Sequence, residues 1–326
     1  MSAPAATPEA PLVLGRRPIR DRLGDWVLHG LTGGAAFGSL VLVGLLVYEL
    51  FRQAWPAITK YGFGFITSHA WDPVKKQFGA LDFIYGTALT SLVAVLVAAP
   101  LAIAIALFLS ELAPRGVRGV VGALVEMLAA IPSVVIGLWG IFVLGPVVSH
   151  DIEPFLHRTL GFLPFFSGEP SPSGTGYLTA AIVLTIMVLP ITASIARELF
   201  LNVPNDLEEA ALALGMTRWE MIRGVVLPYT KSGLIAAIIL GLSRAIGEAI
   251  AVTQVIGGTL GITVSLFANG DTLASRIASQ YQGADSNIQV AALVYLALIL
   301  LVISLVTNLV AQLIVRRFEF QRTGGD

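Results

Sequence analysis

Apolar residues run in long blocks along this chain, and the polar positions collect between the blocks. A membrane-crossing helix needs about 20 mostly apolar residues. Six stretches reach that length, roughly 26–50, 83–110, 120–148, 177–196, 232–258 and 288–315. The pattern predicts an all-α integral membrane protein with six transmembrane helices. The first stretch is too long for the apolar part of a secretory leader and no small-x-small site follows it, so it reads as an uncleaved anchor. The opening residues, MSAPAATPEAPLVLG, are rich in Ala and Pro and read as disordered. The expected layout is a disordered cytoplasmic tail over 1–25, a six-helix transmembrane domain over 26–318 and a cytoplasmic tail over 319–326.

Composition sharpens this picture. Hydrophobic residues make up 56% of the chain and charged residues 13%, about half the charged fraction of a soluble domain. The net charge of -1 offers no general attraction to nucleic acid. There is no cysteine, which excludes disulfides and thiolate chemistry. The four histidines, His29, His69, His150 and His157, show no ligand spacing, so no metal site is expected. No GxxxxGK[ST] pattern occurs, so the chain has no phosphate-binding loop of that kind. Nor does any Ser-His-Asp, paired-carboxylate or zinc arrangement suggest an enzyme. Energy for any transport must come from a partner or a gradient.

Lys and Arg set the orientation. With the N-terminus inside, Arg16, Arg17, Arg115, Arg118, Arg197, Arg218, Arg223 and Arg316 fall with others on the cytoplasmic side. The outer loops hold fewer: Arg52, Lys60, Lys75, Lys76, Arg158 and Arg276. Both termini are then expected in the cytoplasm. The outer loops, about thirty residues each, suit either simple connection or reception of an external partner.

One polar stretch interrupts the greasy pattern, EEAALALGMTRWEMIRGVVLP from Glu208 to Pro228. Asn205 and Glu208 have capping-box spacing. Leu207, Ala210, Ala211 and Leu214 recur as one helical face. Gly215 fits a helix stop. Thr217 and Glu220 repeat the box, Trp219, Ile222 and Val226 give a second apolar face, and Pro228 is expected to end it. The result is a helix-turn-helix hairpin over 205–228. Membrane-surface helices favour basic polar faces. Asp206, Glu208, Glu209 and Glu220 against Arg218 and Arg223 favour docking on a cytoplasmic protein instead.

Glu209-Ala210-Ala211, then Gly215, then Val225-Val226-Leu227-Pro228 resembles the EAA loop of ABC-importer membrane subunits, with Val225 where isoleucine is usual. FGALDFIYGTALTS (78–91), AAIPSVVIGLWGIFVLGP (129–146), LSRAIGEAIAVT (242–253) and LASRIAS (273–279) together resemble the phosphate-specific permeases of the PstC type, over about 63–318. Ile136 stands where many members carry an aromatic, and Ala249 where threonine is common.

The resemblance implies the type I (MetI-like) ABC importer architecture in the cytoplasmic membrane of a prokaryote. It implies a second, homologous permease subunit (PstA type), two ATPase subunits (PstB type) that bind ATP and Mg, and an external phosphate-binding protein (PstS type). This chain itself would carry no cofactor and no catalytic residue. Glu209, Ala210, Ala211, Gly215, Leu227 and Pro228 are the expected coupling residues. The alternatives are the same architecture carrying sulfate or molybdate, or a gradient-driven transporter or channel.

Three charges are expected within the spans: Glu126, Arg244 and Glu248. A charge at bilayer depth costs about 2.5–3.5 kcal/mol on insertion scales and faces protein or a water cavity. Arg244 and Glu248 are four apart and share a face on a continuous helix. Ala237, Gly241 and Ala251 lie on the same stripe and leave room beside it. A guanidinium fork suits an oxyanion, and Glu248 would neutralise it when the path is empty. The alternative is a static packing ion pair. At Ile131-Pro132-Ser133 the third span either kinks or starts a half-helix whose N-terminus faces an anion. Glu126, two turns earlier, meets either a partner's cation or a wet vestibule.

Overall fold

The computed structural model describes residues 19–323. Among the described residues six helices are long and apolar enough to cross a membrane, as the apolar blocks predict. The tail expected over 1–25 lies, up to residue 18, outside the described residues. From Ile19 to Tyr61 the chain is one helix, α1.

The chain divides into two compact units, Met1–Glu49 and Leu50–Asp326. In the first, α1 shows Trp26, Leu31, Phe37, Leu40 and Leu42 at its surface. A helix apolar all round suits lipid.

The second unit holds the end of α1 and all later elements. A short antiparallel pair follows α1, β1 (Trp71–Asp72) and β2 (Gln77–Phe78), with Trp71 opposite Phe78. The helices are α2 (Leu81–Leu112), α3 (Arg115–Ala129), α4 (Ser133–Leu160), α5 (Tyr177–Leu201), α6 (Asn205–Ala213), α7 (Arg218–Gly247), α8 (Ile250–Val255), α9 (Leu273–Gln280) and α10 (Asn287–Thr323).

Contacts along the helices fix their directions. Gly86 of α2 lies against Tyr177 at the start of α5, and Thr185 of α5 donates to the carbonyl of Ala94, so these two run parallel. Gly241 of α7 faces Val188 and Thr192 while Gly233 faces Leu199, so α7 runs against α5. Ser243 donates to Asn308 at 2.8 Å, and Tyr295 stacks on Phe65 at 4.5 Å, so α10 returns alongside α7. One end of the bundle therefore carries 110–118 and 201–217. The opposite end carries 61–80, 153–176 and 256–286. A buried core of Ala94, Ala98, Val183, Leu184, Val252 and Val255 joins α2, α5 and α8 between the ends.

Two of the expected spans are built differently. The third is not one helix over 120–148. It stops after Ala129, and the crossing part begins at Ser133 and runs to Leu160. Pro132 has no N–H to continue the ladder, and its ψ of 137° turns the chain before a new helix starts. The stretch before it, α3, carries Arg118 and Glu126 and so does not belong in lipid. The fifth begins as early as Arg218 and ends at Gly247, where Glu248 is extended with ψ 121°. The sixth helix continues to Thr323, past the expected end of the spans at 318.

Four π-turns among the described residues share a sequence cause. Phe108–Leu112, Gly140–Leu144, Val148–Ile152 and Ile222–Val226 each stop two residues before a proline, Pro114, Pro146, Pro154 and Pro228; the first closes α2 and the other three lead on into helix. Proline cannot donate in the α-helical ladder and its ring collides with the carbonyl four residues back. A wider i→i+5 turn just ahead of it removes both problems without ending the helix. Pro228 thus does not terminate the hairpin, contrary to expectation: Leu227 N–H bonds the carbonyl of Ile222, and the helix runs on into the membrane.

Candidate functional site

The polar hairpin folds from its local chemistry. Helix α6 ends in a reciprocal pair of backbone bonds, Gly215 N–H to Leu212 carbonyl at 3.0 Å and Met216 N–H to Ala211 carbonyl at 3.2 Å. This is a Schellman closure and needs a left-handed residue. Gly215 supplies it with φ +86°. Thr217 then forms the expected capping box: its hydroxyl accepts from Glu220 N–H at 3.3 Å, and the Glu220 carboxylate accepts from Thr217 N–H at 2.8 Å. The box expected at Asn205 and Glu208 does not form. Pro204 takes the cap position, Asn205 is already helical, and no side chain caps that end.

The hairpin's apolar faces are split between packing and display. Ala211 is buried with Phe200, Val203, Met221, Ile222 and Val226. Leu214 and Trp219, read as parts of apolar faces suited to docking, point outward at 83% and 64% exposure. Leu207, Leu212 and Met216 are also exposed, as are Glu209 and Ala210. A nine-residue helix has room to bury one small residue, and the other apolar side chains stand free for another surface. Leu227 is half-buried and Pro228 exposed at the root of α7.

One arginine of the hairpin and one of α3 meet at the end of the second span. Arg218 Nη1 donates to the carbonyl of Glu111 at 3.2 Å, and Arg118 Nη2 donates to the carbonyl of Ser110. Both carbonyls lie in the π-turn Phe108–Leu112 that ends α2. Cations at a helix C-terminus satisfy its orphan carbonyls and meet its negative dipole end. These side chains line a polar cavity of about 470 Å3 that also holds Asn205 and Glu208. Burial, and then the nearby Glu111, push the Glu208 carboxyl above the usual carboxylate range. The sequence assigned no role to Glu111, Arg118 or Arg218 here. Arg218 is far from Glu111 in the chain, and the acceptors of both arginines are backbone atoms.

Inside the membrane, Arg244 Nη2 lies 3.5 Å from Glu248 Oε2. The pair does not share a face of one continuous helix as expected, because α7 ends between them. Glu248 is buried, and its Oε1 accepts the N–H of Ala251 at 3.3 Å at the start of α8, while the Arg244 side chain is half-exposed. Glu248 therefore holds the helix break, and Arg244 is the accessible partner. The small residues do not leave open room: a Cβ on Gly241 would lie 2.7 Å from Thr192 and Val188, and Ala237 and Ala251 are buried.

The two helix breaks lie side by side. Gly137 of α4 abuts Ala251 and Gln254 of α8, and Gly140 abuts Val255, so α4 and α8 run parallel in contact. Ser133 is one turn before Gly137, and Glu248 is one turn before Ala251. The start of α4 at Pro132-Ser133 thus lies on the same side of the α4–α8 contact as Glu248, whose carboxylate holds Ala251 N–H. Ser133 is half-buried and Pro132 exposed there.

Glu126 is not in this group. It pairs with Arg197 of its own chain at 3.5 Å, near the hairpin end. From the α5–α7 register, Arg197 sits roughly 15 Å along the axis from Arg244.

At the opposite end an ion pair buried on both sides went unread in the sequence. Arg276 Nε lies 2.7 Å from Asp271 Oδ2, both buried. The guanidinium stacks over Phe83 at 4.8 Å and Trp71 at 5.8 Å and donates to the Gly258 carbonyl at 3.2 Å. Burial pushes the Asp271 carboxyl up, against the pull of Arg276. This locks the loop after α8 onto α2.

A bundle of helices long and apolar enough to cross a membrane, with a polar hairpin on one end and a half-exposed guanidinium beside a helix break, has the build of a transport permease. Comparison with known proteins gives the family. Residues 98–320 match the family described as binding-protein-dependent transport system inner membrane component. The chain is 43% identical over 309 residues to the phosphate transport system permease protein PstC of Mesorhizobium japonicum, covering 94% of each. To the protein of that name from Xylella fastidiosa it is 41% identical, again over 94% of each. In fold it is similar to a bacterial ABC transporter involved in import of the acidic polysaccharide alginate, with TM-score 0.56 and 19% identity, covering 91% of this chain and 99% of that one. The chain belongs to the binding-protein-dependent transport permeases, in the group of the PstC-type permease subunits, and is a multi-pass inner-membrane protein with the type I importer fold.

Proposed function

We propose that this chain is the PstC-type half of an ATP-driven phosphate importer, paired with a homologous PstA-type permease. The substrate comes from its relatives at 41–43% identity, which are phosphate transport permeases. The observation that carries the mechanism is the hairpin at the bundle's end: a rigid polar turn that shows Glu209, Leu214 and Trp219 outward and is continuous with the fifth span.

In this reading two PstB-type ATPases, which bind ATP and Mg, grip the hairpins of the two permeases in the cytoplasm. Both termini lie on that side. A PstS-type protein delivers phosphate to the opposite face. Glu209, Ala210, Ala211, Gly215, Leu227 and Pro228 carry the hairpin's grip and its link to α7. Arg218 carries its motion to α2 through the Glu111 carbonyl it holds, and Arg118 braces α3 on the same turn. At mid-membrane Arg244 meets the phosphate oxyanion with two N–H groups. Glu248 returns the guanidinium to its resting pair, which keeps the anion from staying. The start of α4 at Pro132-Ser133 adds unpaired N–H groups on the Glu248 side of the α4–α8 contact. Glu126, held by Arg197, belongs to the inner end of the route.

The test is uptake of labelled phosphate at low micromolar concentration in a host without its own high-affinity uptake, with the full set of subunits. Wild type, Glu209→Lys and Arg244→Gln are compared, with sulfate in excess. ATP-dependent uptake that ignores sulfate and is lost in Glu209→Lys is expected. Competition by sulfate or molybdate would move the substrate to another oxyanion. Normal uptake in an assembled Glu209→Lys complex would overturn the coupling role and leave a gradient-driven route.

A further inference from the structure

The end of the bundle opposite the coupling hairpin carries a small, stiff, basic projection. Strands β1 and β2 close over the tip Pro73-Val74-Lys75-Lys76. Asp72 Oδ1 accepts the N–H groups of Val74 at 2.9 Å and Lys75 at 3.0 Å, fixing the first half of the turn. Lys76 has φ +53°, the one non-glycine residue with positive φ among those described. Its carbonyl accepts from the Tyr61 hydroxyl at 2.6 Å and from Lys60 Nζ at 3.3 Å. The base is anchored by Trp71 and Phe78, both buried with rings 5.0 Å apart, and by Trp71 Nε1 donating to Gln280 at 2.8 Å.

Folding alone does not require this chemistry. A left-handed position is met at no cost by glycine and at little by asparagine. A lysine there keeps a charge at the tip against backbone preference. Lys60, Lys75 and Lys76 are all exposed, and Val74 is 91% exposed between them. The only acidic side chain at the tip, Asp72, is occupied by the turn's own N–H groups and lies 3.8 Å from Lys75. The tip is thus a pre-formed cationic knob with an apolar point, on the face that the permease turns to its delivery protein.

We propose that the hairpin Trp71–Phe78 docks an acidic patch on the external binding protein, with Lys75 and Lys76 as the charge contacts and Val74 seated between them. This rests on the importer reading above. A protein partner fits better than an anionic lipid surface, because headgroups are met by flexible lysines and need no fixed backbone. Pre-organisation serves a shaped surface, where it lowers the cost of ordering on contact, and charge complementarity speeds encounter.

The experiment uses the complete four-component complex in proteoliposomes with phosphate-loaded binding protein added outside. ATPase rate and uptake are followed against binding-protein concentration, in vesicles with and without anionic lipid. For Lys75→Glu/Lys76→Glu the half-maximal concentration should rise roughly five- to twentyfold, with the binding-protein-independent ATPase rate unchanged. Added salt should raise the wild-type value and narrow the gap. Lys75→Gln, which leaves the turn intact, should give a smaller shift in the same direction. A wild-type half-maximal concentration in both variants, with wild type itself stimulated, would overturn the docking site and leave the importer reading standing. A shift that appears only with anionic lipid would assign the knob to the membrane and also overturn it. Absence of any stimulation in wild type would sink both readings together.

Discussion

Arg276 shows how much a single side chain holds in this fold. It is buried beside Asp271, stacked on two aromatic rings and bonded to the loop carbonyl of Gly258. Removing one member of a buried pair leaves the other charge uncompensated and costs about 3–5 kcal/mol. Arg276→Met should therefore lower the thermal unfolding midpoint of the detergent-purified protein markedly, and Asp271→Asn/Arg276→Met should recover part of the loss. Arg244 is expected to behave differently, because its side chain is half-exposed and its partner Glu248 is held by Ala251 N–H. Arg244→Lys should keep assembly and reduce uptake, since an ammonium lacks the two-pronged fork. Glu208 gives a pH signature. Its folded carboxyl lies above its unfolded value, so its ionisation works against the folded hairpin. Glu208→Gln should stabilise the hairpin at neutral pH, and the gain should vanish as pH falls through the unfolded value near 4.5. Hydrogen exchange of α6 amides against pH checks this. A gain that persists in acid would show that the ionised carboxylate is not its source.

At the scale of elements, the hairpin was largely legible. Glycine at a left-handed stop and a Thr-x-x-Glu box are local codes, and both formed as read. The box at Asn205 failed because Pro204 had already taken the cap. The π-turns were not legible individually, yet each is explained by the proline two residues on. Pro228→Ala removes the reason for the turn at Ile222–Val226. The segment is then expected to relax to α-helix, which rotates the hairpin by about 100° relative to α7 for the one residue gained per turn. Uptake should fall while the protein still folds, and cysteine cross-linking between α6 and the ATPase should change register. Unchanged uptake would mean that the bulge is not part of the coupling route.

The whole molecule presents two different ends. One shows Leu214 and Trp219 on a rigid turn. The other shows Val74 and the lysines of the β-hairpin. The chain has no cysteine, so single replacements report sidedness without background. Val74→Cys should react with a membrane-impermeant maleimide in intact cells, and Leu214→Cys only after permeabilisation. The reverse pattern would invert the orientation drawn from Lys and Arg. At this scale too, the placement of Glu126 is informative: it pairs with Arg197 rather than joining Arg244, because α3 is a separate helix that ends at Ala129, before the crossing part starts at Ser133.

What the sequence by itself determined are the features whose physics is local. Twenty apolar residues in a row belong in lipid wherever they occur, so the six crossings were readable. So were the glycine stop, the Thr217 cap and the break at Pro132, because each follows from one or two residues. The tertiary structure alone decided the break at Gly247, since glycine and glutamate are both allowed within a helix. That break is set by α8 packing Ala251 onto Gly137 of α4. It also decided which side chains meet: Arg118 and Arg218 at the carbonyls of α2, Arg276 at Asp271. Arg218 and its carbonyl are more than a hundred residues apart, Arg118 bonds a backbone atom, and Arg276 meets Asp271 only once the loop before α9 has folded back; none of these contacts is written in a local code.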